Sequence, residues 1–334
     1  MNLLTLLIVP ILAIAYSSIK TNPCSSDAEI FEKLNSTNNE TICFKTIDSY
    51  DFNYKNKSEL TVYGNLKFPE KKKKKYNAVI LSHGSGGIRK YHNNYIEILN
   101  KAGYIVFQID HYMGRNMKYD GTFSKISGIT LMNDAYKALA LLRTHPQIEK
   151  IGYVGWSQGG VGPIMSHFQH INNYINKSKY IFDASVAIYP YCGFTFPKNS
   201  ITSTPLLMIT GREDDLTPEK ACINLFNKFK NNTNKINHIS IEGARHGYDN
   251  PFLFFGYTFD ELPSLHIIND DCTLTISESR NIVTLNNRLI SGPKDSAEVL
   301  NQCSTKGVHV KYNSNAARQT KLEIIKFFDS TFNQ

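Results

Sequence analysis

Short, uninterrupted apolar runs recur along the central part of this chain, and stretches with helical periodicity separate them. Such runs are typical of strands buried on both faces of a parallel sheet, and apolar residues three and four positions apart are typical of helices packed on it. The predicted strands are 60–69, 76–82, 104–109, 151–154, 184–189, 206–210 and 239–241. The predicted helices are 93–102, 134–143 and 218–230. This alternation predicts an α/β fold, a mostly parallel central sheet with helices on both faces.

The pattern is different at the N-terminus, where residues 1–16 carry no charge and consist mainly of Leu, Ile and Ala. We interpret residues 1–17 as a secretory signal peptide, with the A-I-A at 13–15 as the cleavage candidate. No Lys or Arg precedes the apolar stretch, which departs from the usual signal, so a retained anchor is the alternative. The segment is short for a membrane span and contains Pro10. The expected location is secreted or periplasmic, with no stable membrane span after cleavage.

Composition narrows the class of protein. Of the 334 residues, 41% are hydrophobic and 20% are charged, as in ordinary globular proteins. The net charge of +8 is partly local, because residues 71–75 are five consecutive lysines of the kind found in solvated loops. No aromatic residues interleave with that run and no nucleic-acid-binding motif is present, so nucleic acid is not an expected partner. Residues 18–57 are polar and Asn-rich, and we interpret them as an N-terminal extension before a main domain at 58–334.

Six cysteines are an even number, as an oxidising compartment favours. Their spacing resembles no zinc site, since there is neither a C-x-x-C nor an H-E-x-x-H motif. Three disulfides are therefore expected rather than a metal site, and other connectivities remain open. The simplest pairs by chain order are Cys24–Cys43, Cys192–Cys222 and Cys272–Cys303.

The sequence GWSQGG at 155–160 follows the apolar run 151–154 and has the form G-x-S-x-G. In a strand–turn–helix context this motif places a serine hydroxyl at an exposed apex, at the N-terminus of a helix. The flanking glycines allow so tight a turn. The alternative is a chance glycine-rich loop, but the strand before it favours Ser157 as a nucleophile.

A serine needs a base to take its proton and an acid to orient that base. In an α/β-hydrolase the acid and then the histidine follow the serine along the chain. The loop GREDDLTP at 211–218 and the loop GARHGY at 243–248 supply that order, each after a predicted strand. We predict Asp214 as the acid and His246 as the base. The neighbouring Asp215 is expected to cap the helix that follows.

An oxyanion hole needs two backbone N–H groups directed at the developing negative charge. One is expected from Gln158, directly after the serine. The other is expected from the loop HGSGG at 83–87, at Ser85, with Gly86 as the alternative. His83 is interpreted as structural. This loop lacks the G-K-[ST] of a phosphate-binding loop, and no cofactor is expected.

Taken together, the chain resembles the dienelactone hydrolase family of α/β-hydrolases over about 58–250 and 311–332. The stretches that carry the resemblance are HGSGG at 83–87, DHYMGR at 110–115, the helix beginning at Asp134, GWSQGG at 155–160, GREDDLTP at 211–218, GARHGY at 243–248 and YNSNAA at 312–317. The resemblance implies an α/β-hydrolase fold without a cofactor. It also implies an exported branch in which cysteines matching Cys192 and Cys222 recur together, which favours their pairing near the acid loop.

Two features depart from the family pattern. Its founding members use a cysteine nucleophile, so Ser157 argues against dienelactone as substrate and favours general ester hydrolysis. An insertion at about 250–310 separates His246 from the closing helix and begins with the aromatic run PFLFFGY at 251–257. This insertion is expected to form either a lid or part of an acyl pocket, or else a packed surface excursion.

Together these features predict a serine hydrolase that cleaves small-molecule carboxylic esters through an acyl-enzyme. Peptidase or acyltransferase activity is the alternative within the enzyme class, because one triad serves all acyl transfers. A catalytically silent binding protein on the same fold is the alternative outside it.

Overall fold

The structure is a computed structural model. It describes residues 21–24, 27–35, 38–176, 179–196, 202, 204–230 and 235–333. The expected signal peptide at 1–17 lies outside the described residues.

Within this part of the chain, eight strands form one sheet in the order β1-β2-β4-β3-β5-β6-β7-β8. They are β1 (Glu40–Asp48), β2 (Ser58–Lys67), β3 (Tyr76–Ser82), β4 (Ile105–Asp110), β5 (Ile148–Trp156), β6 (Ala184–Ile188), β7 (Leu206–Gly211) and β8 (Ile236–Ile241). Strands β3 to β8 pair in parallel, and β2 runs antiparallel to both of its neighbours. All seven predicted strands are present, and the predicted mostly parallel sheet is confirmed.

Helices cover both faces of this sheet. The helices are α1 (His92–Lys101), α2 (Gly128–Leu142), α3 (Val161–Met165), α4 (Gln169–Asn176), α5 (Glu219–Phe229), α6 (Pro293–Cys303) and α7 (Ser314–Phe332). Alternate residues of β3 enter two separate hydrophobic cores, with Ile80 in the core beneath α2 to α5 and Leu81 in the core beneath α1 and α7. Because both faces are buried, the strands read as continuous apolar runs rather than alternating ones.

Helix α2 begins at Gly128, six residues before the predicted start at Asp134. Ser127 caps it, since its hydroxyl accepts the Thr130 N–H while the Thr130 side chain accepts the Ser127 N–H. The helix is present, but its predicted start was wrong because Gly, Ile and Thr at 128–130 are weak helix formers. Tertiary packing against the sheet overrides that weakness.

The N-terminal segment contributes a strand that the pattern does not predict. Strand β1 pairs antiparallel with β2 along its whole length and forms one edge of the sheet. A disulfide joins Cys24 to Cys43 in this strand, with an Sγ–Sγ distance of 1.98 Å. The other two disulfides are Cys192–Cys222 and Cys272–Cys303, so the six cysteines pair in chain order.

The segment after His246 is built separately from the main sheet. Its strands are β9 (Tyr257–Leu265), β10 (Leu274–Ile276), β11 (Ile282–Thr284), β12 (Leu289–Ile290) and β13 (Ser304–Val310). Strands β9 and β13 pair antiparallel, and β10 to β12 form a three-stranded sheet beside α6. Among the residues that the structure describes, no helix is both long and apolar enough to span a membrane.

Candidate active site

Ser157 lies where β5 turns into a short 3-10 helix at 157–160, and its φ is 54°. A non-glycine residue at positive φ is strained, so the surroundings must enforce it. The backbone here is too crowded for side chains at the flanking positions. A Cβ on Gly155 would lie 2.1 Å from the Gly159 carbonyl oxygen, and one on Gly159 would lie 2.4 Å from the His83 carbonyl oxygen. The glycines of the motif therefore permit the close approach that raises Ser157 out of the strand.

Ser157, His246 and Asp214 form one chain of hydrogen bonds. The Ser157 Oγ lies 3.0 Å from His246 Nε2, and His246 Nδ1 lies 2.8 Å from Asp214 Oδ2. An ionised carboxylate only accepts, so His246 carries its hydrogen on Nδ1 and leaves Nε2 free to accept the serine proton. All three residues follow the carboxyl ends of parallel strands, where open α/β sheets hold their ligands.

The acid loop holds Asp214 in place from several sides. Its Oδ1 accepts the backbone N–H groups of Leu216 and Thr217 at 2.9 and 2.8 Å. The Thr217 hydroxyl lies 3.0 Å from Asp214 Oδ2 and 3.1 Å from His246 Nδ1. These contacts orient the carboxylate before any substrate arrives, as preorganised sites require.

Asp215 does not cap the following helix, and that prediction was wrong. Helix α5 has Pro218 at its N-cap position without a side-chain cap. The Asp215 carboxylate instead accepts the His309 N–H at 3.1 and 3.2 Å and pairs with Arg245 at 3.4 Å. The side chain is thus directed towards β13, an element far along the chain that local sequence could not reveal.

The HGSGG loop lies directly beside the serine. A Cβ on Gly84 would lie 3.6 Å from Ser157 Oγ. The Ser85 carbonyl accepts the Asp120 N–H at 2.7 Å, which fixes this loop. The Gln158 side chain donates to the Ile126 carbonyl at 2.8 Å. Gly84 of this loop therefore borders the serine, and the role of Ser85 and Gln158 as oxyanion donors remains a prediction.

His83 is a buried structural residue. Its Nε2 accepts the His111 N–H at 3.1 Å, so its Nδ1 carries the hydrogen and donates to the Gly84 carbonyl at 2.8 Å. Burial lowers the pKa of His83 to about 4, so the ring is neutral at pH 7. This neutral ring braces the loop that borders Ser157.

A second Ser–His–Asp arrangement lies beneath this loop, and sequence reasoning missed it. His111 Nε2 lies 2.9 Å from Ser82 Oγ, and His111 Nδ1 lies 2.8 Å from Asp134 Oδ2. Arg115 makes two bonds to Asp134, at 2.9 and 3.0 Å. Burial raises the pKa of Asp134, but Arg115 and His111 outweigh it and lower the value to about 2. The motif DHYMGR contains two of these residues and was the available signal.

This second arrangement cannot receive a substrate. The Ser82, His111 and Asp134 residues are 0% exposed, whereas Ser157 and His246 are 9% and 8% exposed. Arg115 also neutralises the Asp134 carboxylate. We therefore regard the buried set as a structural network and Ser157 as the reactive candidate.

Asp249 was also missed, although it follows the GARHGY loop directly. Its buried carboxylate accepts hydrogen bonds from Tyr95 at 2.6 Å, Tyr189 at 2.8 Å and Trp156 at 3.1 Å. Burial raises the pKa of Asp249 above its usual value, and these three donors oppose that rise. Trp156 precedes Ser157, so this cluster supports the serine turn from behind.

A cavity of about 950 Å³, including its open mouth, begins at Ser157, Gln158 and Thr217. The main domain contributes mainly apolar side chains to it, among them Ile129, Val161 and Phe194. Within the described part of the chain, no group of three or more His, Cys, Asp or Glu side chains is arranged to hold a metal ion. The site thus places a serine hydroxyl, hydrogen-bonded to an imidazole, at an apolar cavity.

An eight-stranded, mostly parallel sheet with a serine on a strained turn after its fifth strand, and an acid and a histidine after later strands, defines an α/β-hydrolase fold. The chain belongs to the dienelactone hydrolase family, whose sequence profile matches residues 64–258, more than half of its length. The resemblance stated from the sequence is thereby confirmed. Comparison with curated proteins finds no match.

Solved structures are similar in fold. A dienelactone hydrolase-like promiscuous phosphotriesterase from metagenomic libraries is 13% identical over 87% of this chain and 98% of its own, with a TM-score of 0.51. A putative dienelactone hydrolase from Klebsiella pneumoniae is 13% identical over 86% of this chain and 98% of its own, with a TM-score of 0.48. An esterase from Pyrococcus furiosus is 17% identical over 64% of this chain and 90% of its own, with a TM-score of 0.46. At these identities the similarity concerns the fold, and family membership supports a hydrolase.

Proposed function

We propose that this protein is a serine esterase that hydrolyses carboxylic esters through an acyl-enzyme. The observation that carries the proposal is the unbroken chain of hydrogen bonds from Ser157 through His246 to Asp214, at 3.0 and 2.8 Å. A positioned base makes a serine hydroxyl nucleophilic at neutral pH. The cavity that opens at Ser157 gives an ester access to it.

In the first half-reaction Ser157 Oγ forms a bond to the ester carbonyl carbon while His246 Nε2 takes the hydroxyl proton. The bond from carbon to the alcohol oxygen then breaks, and the imidazolium returns the proton to that oxygen. In the second half-reaction water attacks the acyl-enzyme, His246 takes its proton, and the acid leaves as Ser157 recovers its hydrogen. Asp214 stabilises the imidazolium in both halves, and it stays ionised.

The tetrahedral intermediate needs donors for its oxyanion. We assign these to the backbone N–H groups of Gln158 and Ser85, with Gly86 as the alternative to Ser85. The support is that the HGSGG loop lies against the serine and is fixed by His83 and Asp120. Donors held in place by the fold need no reorganisation during the reaction.

The test is labelling by a fluorophosphonate, which reacts with activated serines. Wild-type protein should be labelled, and Ser157→Ala should abolish labelling and the hydrolysis of p-nitrophenyl butyrate. The matched control is Ser82→Ala, which removes the serine of the buried second arrangement and should leave labelling intact. An unlabelled wild-type protein of native fold would instead indicate a binding protein.

We further propose that the protein acts outside the cytoplasm, after removal of residues 1–17. The support is three disulfides, which persist in oxidising compartments and are rare in the cytosol. N-terminal sequencing of protein exported by its native host tests this directly. A mature chain that still begins at Met1 would contradict cleavage.

A further inference from the structure

The insertion after His246 forms one wall of the cavity at Ser157. Its contribution is mainly apolar and includes Leu274, Ile282, Ile290, Val299 and Leu300, while His266 and Ser296 are its polar members. These residues lie beyond the segment that the family profile matches, which ends at residue 258. The aromatic run at the start of the insertion does not take part, since Phe255 is 84% exposed. Family membership therefore says nothing about this wall.

The wall is held in place on the main domain. The Leu265 N–H donates to the Leu216 carbonyl in the acid loop at 2.8 Å, and the Leu274 N–H donates to the Gly193 carbonyl at 2.8 Å. The Cys272–Cys303 disulfide joins the start of the wall to the end of α6, and both cysteines line the cavity. A wall fixed at both ends is a formed pocket rather than a mobile flap.

Charge is missing from the described lining of this cavity. Its polar members are hydroxyl, amide and imidazole groups, and none of the described lining residues is Asp, Glu, Lys or Arg. Two carboxylates act on Tyr50, a lining residue. Burial raises the pKa of Tyr50 to about 12, the carboxylates of Asp120 and Asp295 add to the rise, and a hydrogen bond with Ser296 opposes it. An anionic substrate would therefore find no Lys or Arg in the described lining to pair with, and one wall on which two carboxylates act.

We propose that the cavity selects uncharged esters with a hydrophobic arm several carbons long, and that the insertion sets this preference. The inference rests on the proposed esterase function and adds its substrate class. An apolar arm gains from leaving water for the apolar walls, whereas a carboxylate on the same arm loses its hydration without a compensating partner.

The first experiment measures kcat/KM for p-nitrophenyl acetate, butyrate, hexanoate and octanoate, and for acetate esters of alcohols of matching lengths. In one series kcat/KM should rise about fourfold for each buried methylene, the rate equivalent of ~0.8 kcal/mol. The series that rises identifies whether the acyl or the alcohol arm occupies the cavity. Two flat series would overturn the proposal.

The second experiment places a carboxylate at the end of the arm that the first experiment identifies. For an acyl arm it compares p-nitrophenyl pentanoate with p-nitrophenyl hemisuccinate, and for an alcohol arm it compares pentyl acetate with 4-acetoxybutanoate. The neutral ester should be preferred by about 100-fold or more, because burying an unpaired ion costs several kcal/mol. Equal rates, or a preference for the charged ester, would overturn the proposal.

The third experiment assigns the preference to the insertion. Leu300→Trp and Leu274→Trp each fill the cavity from a half-buried position, and should lower kcat/KM for the longest favoured ester about tenfold while sparing the shortest one. The matched control is Leu289→Trp, because Leu289 is 49% exposed and does not line the cavity. Equal effects of the three substitutions would show that the wall does not set the preference.

Fluorophosphonate labelling of Ser157 in the same preparations distinguishes failure of the proposed esterase function from failure of the proposed substrate preference. If the protein is labelled but both length series are flat, only the substrate preference is overturned. If the protein is not labelled, both proposals are overturned.

Discussion

Tyr189 donates its hydroxyl to the buried Asp249 at 2.8 Å, while its ring lies edge-on against His246 with centroids 4.7 Å apart. Trp156, the neighbour of Ser157, donates to the same carboxylate at 3.1 Å. One buried carboxyl group therefore supports both the turn that carries Ser157 and the ring that packs on the His246 imidazole. This arrangement separates two roles of Tyr189 that mutation can test.

Tyr189→Phe removes the hydroxyl and keeps the ring. We expect the free energy of unfolding to fall by about 1.5–3 kcal/mol, the contribution of a hydrogen bond to a charged group, and kcat/KM to change little. Tyr189→Ala also removes the ring from His246, and we expect kcat to fall by about 10–100-fold as the imidazole loses its position. Urea unfolding and p-nitrophenyl butyrate hydrolysis measure the two effects. Equal activity of the two variants would exclude a positioning role for the ring.

The two adjacent carboxylates of the acid loop should differ sharply. Asp214→Asn leaves His246 without an anionic partner, and we expect kcat to fall by about 10⁴-fold. Asp215→Asn is the matched control and should keep activity within about tenfold, because its partners are the His309 N–H and Arg245. Steady-state kinetics of the two variants measure this difference in kcat. A larger loss in Asp215→Asn would reverse the assignment of the acid.

Stability should fall as the pH drops, partly because of His92. Burial lowers the pKa of His92 to about 3, and its Nδ1 accepts the Arg89 N–H at 2.9 Å. The unfolded chain takes up this proton near pH 6.5 and the folded chain does not, so this contribution to stability is lost between about pH 6.5 and 3. His92→Asn keeps an acceptor for Arg89 but cannot titrate.

For wild type and His92→Asn, we compare the free energy of unfolding in urea at about pH 7 and about pH 4.5. From the higher to the lower pH this free energy should fall by about 2–3 kcal/mol less in His92→Asn than in wild type. The difference within each protein cancels any constant effect of the substitution. Identical losses in the two proteins would contradict the prediction.

The disulfides should differ in what they protect. Replacing Cys272 and Cys303 by Ser removes a cross-link between cysteines 31 positions apart in the sequence. Replacing Cys24 and Cys43 removes one between cysteines 19 positions apart. Each double variant should lose about 3–4 kcal/mol of stability. Only the Cys272/Cys303 variant should lose the preference for long esters, because these two cysteines line the cavity. Thermal unfolding and the ester series measure the two outcomes, and a parallel loss in both variants would contradict the difference.

The sequence predicts the central strands well because burial on both faces leaves an uninterrupted apolar signal, as in β3. The order of the serine, acid and histidine loops is also evident from the sequence, since each loop follows a predicted strand, although β8 before the histidine loop is only partly buried. Strand β1 gives no comparable signal because it lies at the edge of the sheet and carries only a three-residue apolar run at 42–44 among polar residues. Asp134 shows a further limit, since its partner Arg115 lies 19 positions away and only the fold brings them together.

From the sequence, the insertion fits a lid, part of an acyl pocket or a packed surface excursion, and its aromatic start is the most conspicuous feature. Phe254 and Phe255 are in fact exposed. The cavity wall comes from less conspicuous residues such as Ile290 and Val299, whose burial depends on contacts with the main domain. Hydrophobicity alone could not distinguish these two groups.

Strands β9 and β13 pair so that Leu265 lies opposite Ser304. The stretch 266–303 therefore leaves and rejoins the body at one point, like a hairpin closed by a two-stranded stem. If the insertion sets the ester preference as proposed, the reacting residues and the wall that selects the ester lie in separate stretches of the chain. We then expect that exchanging the segment between relatives at this stem transfers the ester preference and leaves Ser157, His246 and Asp214 unchanged.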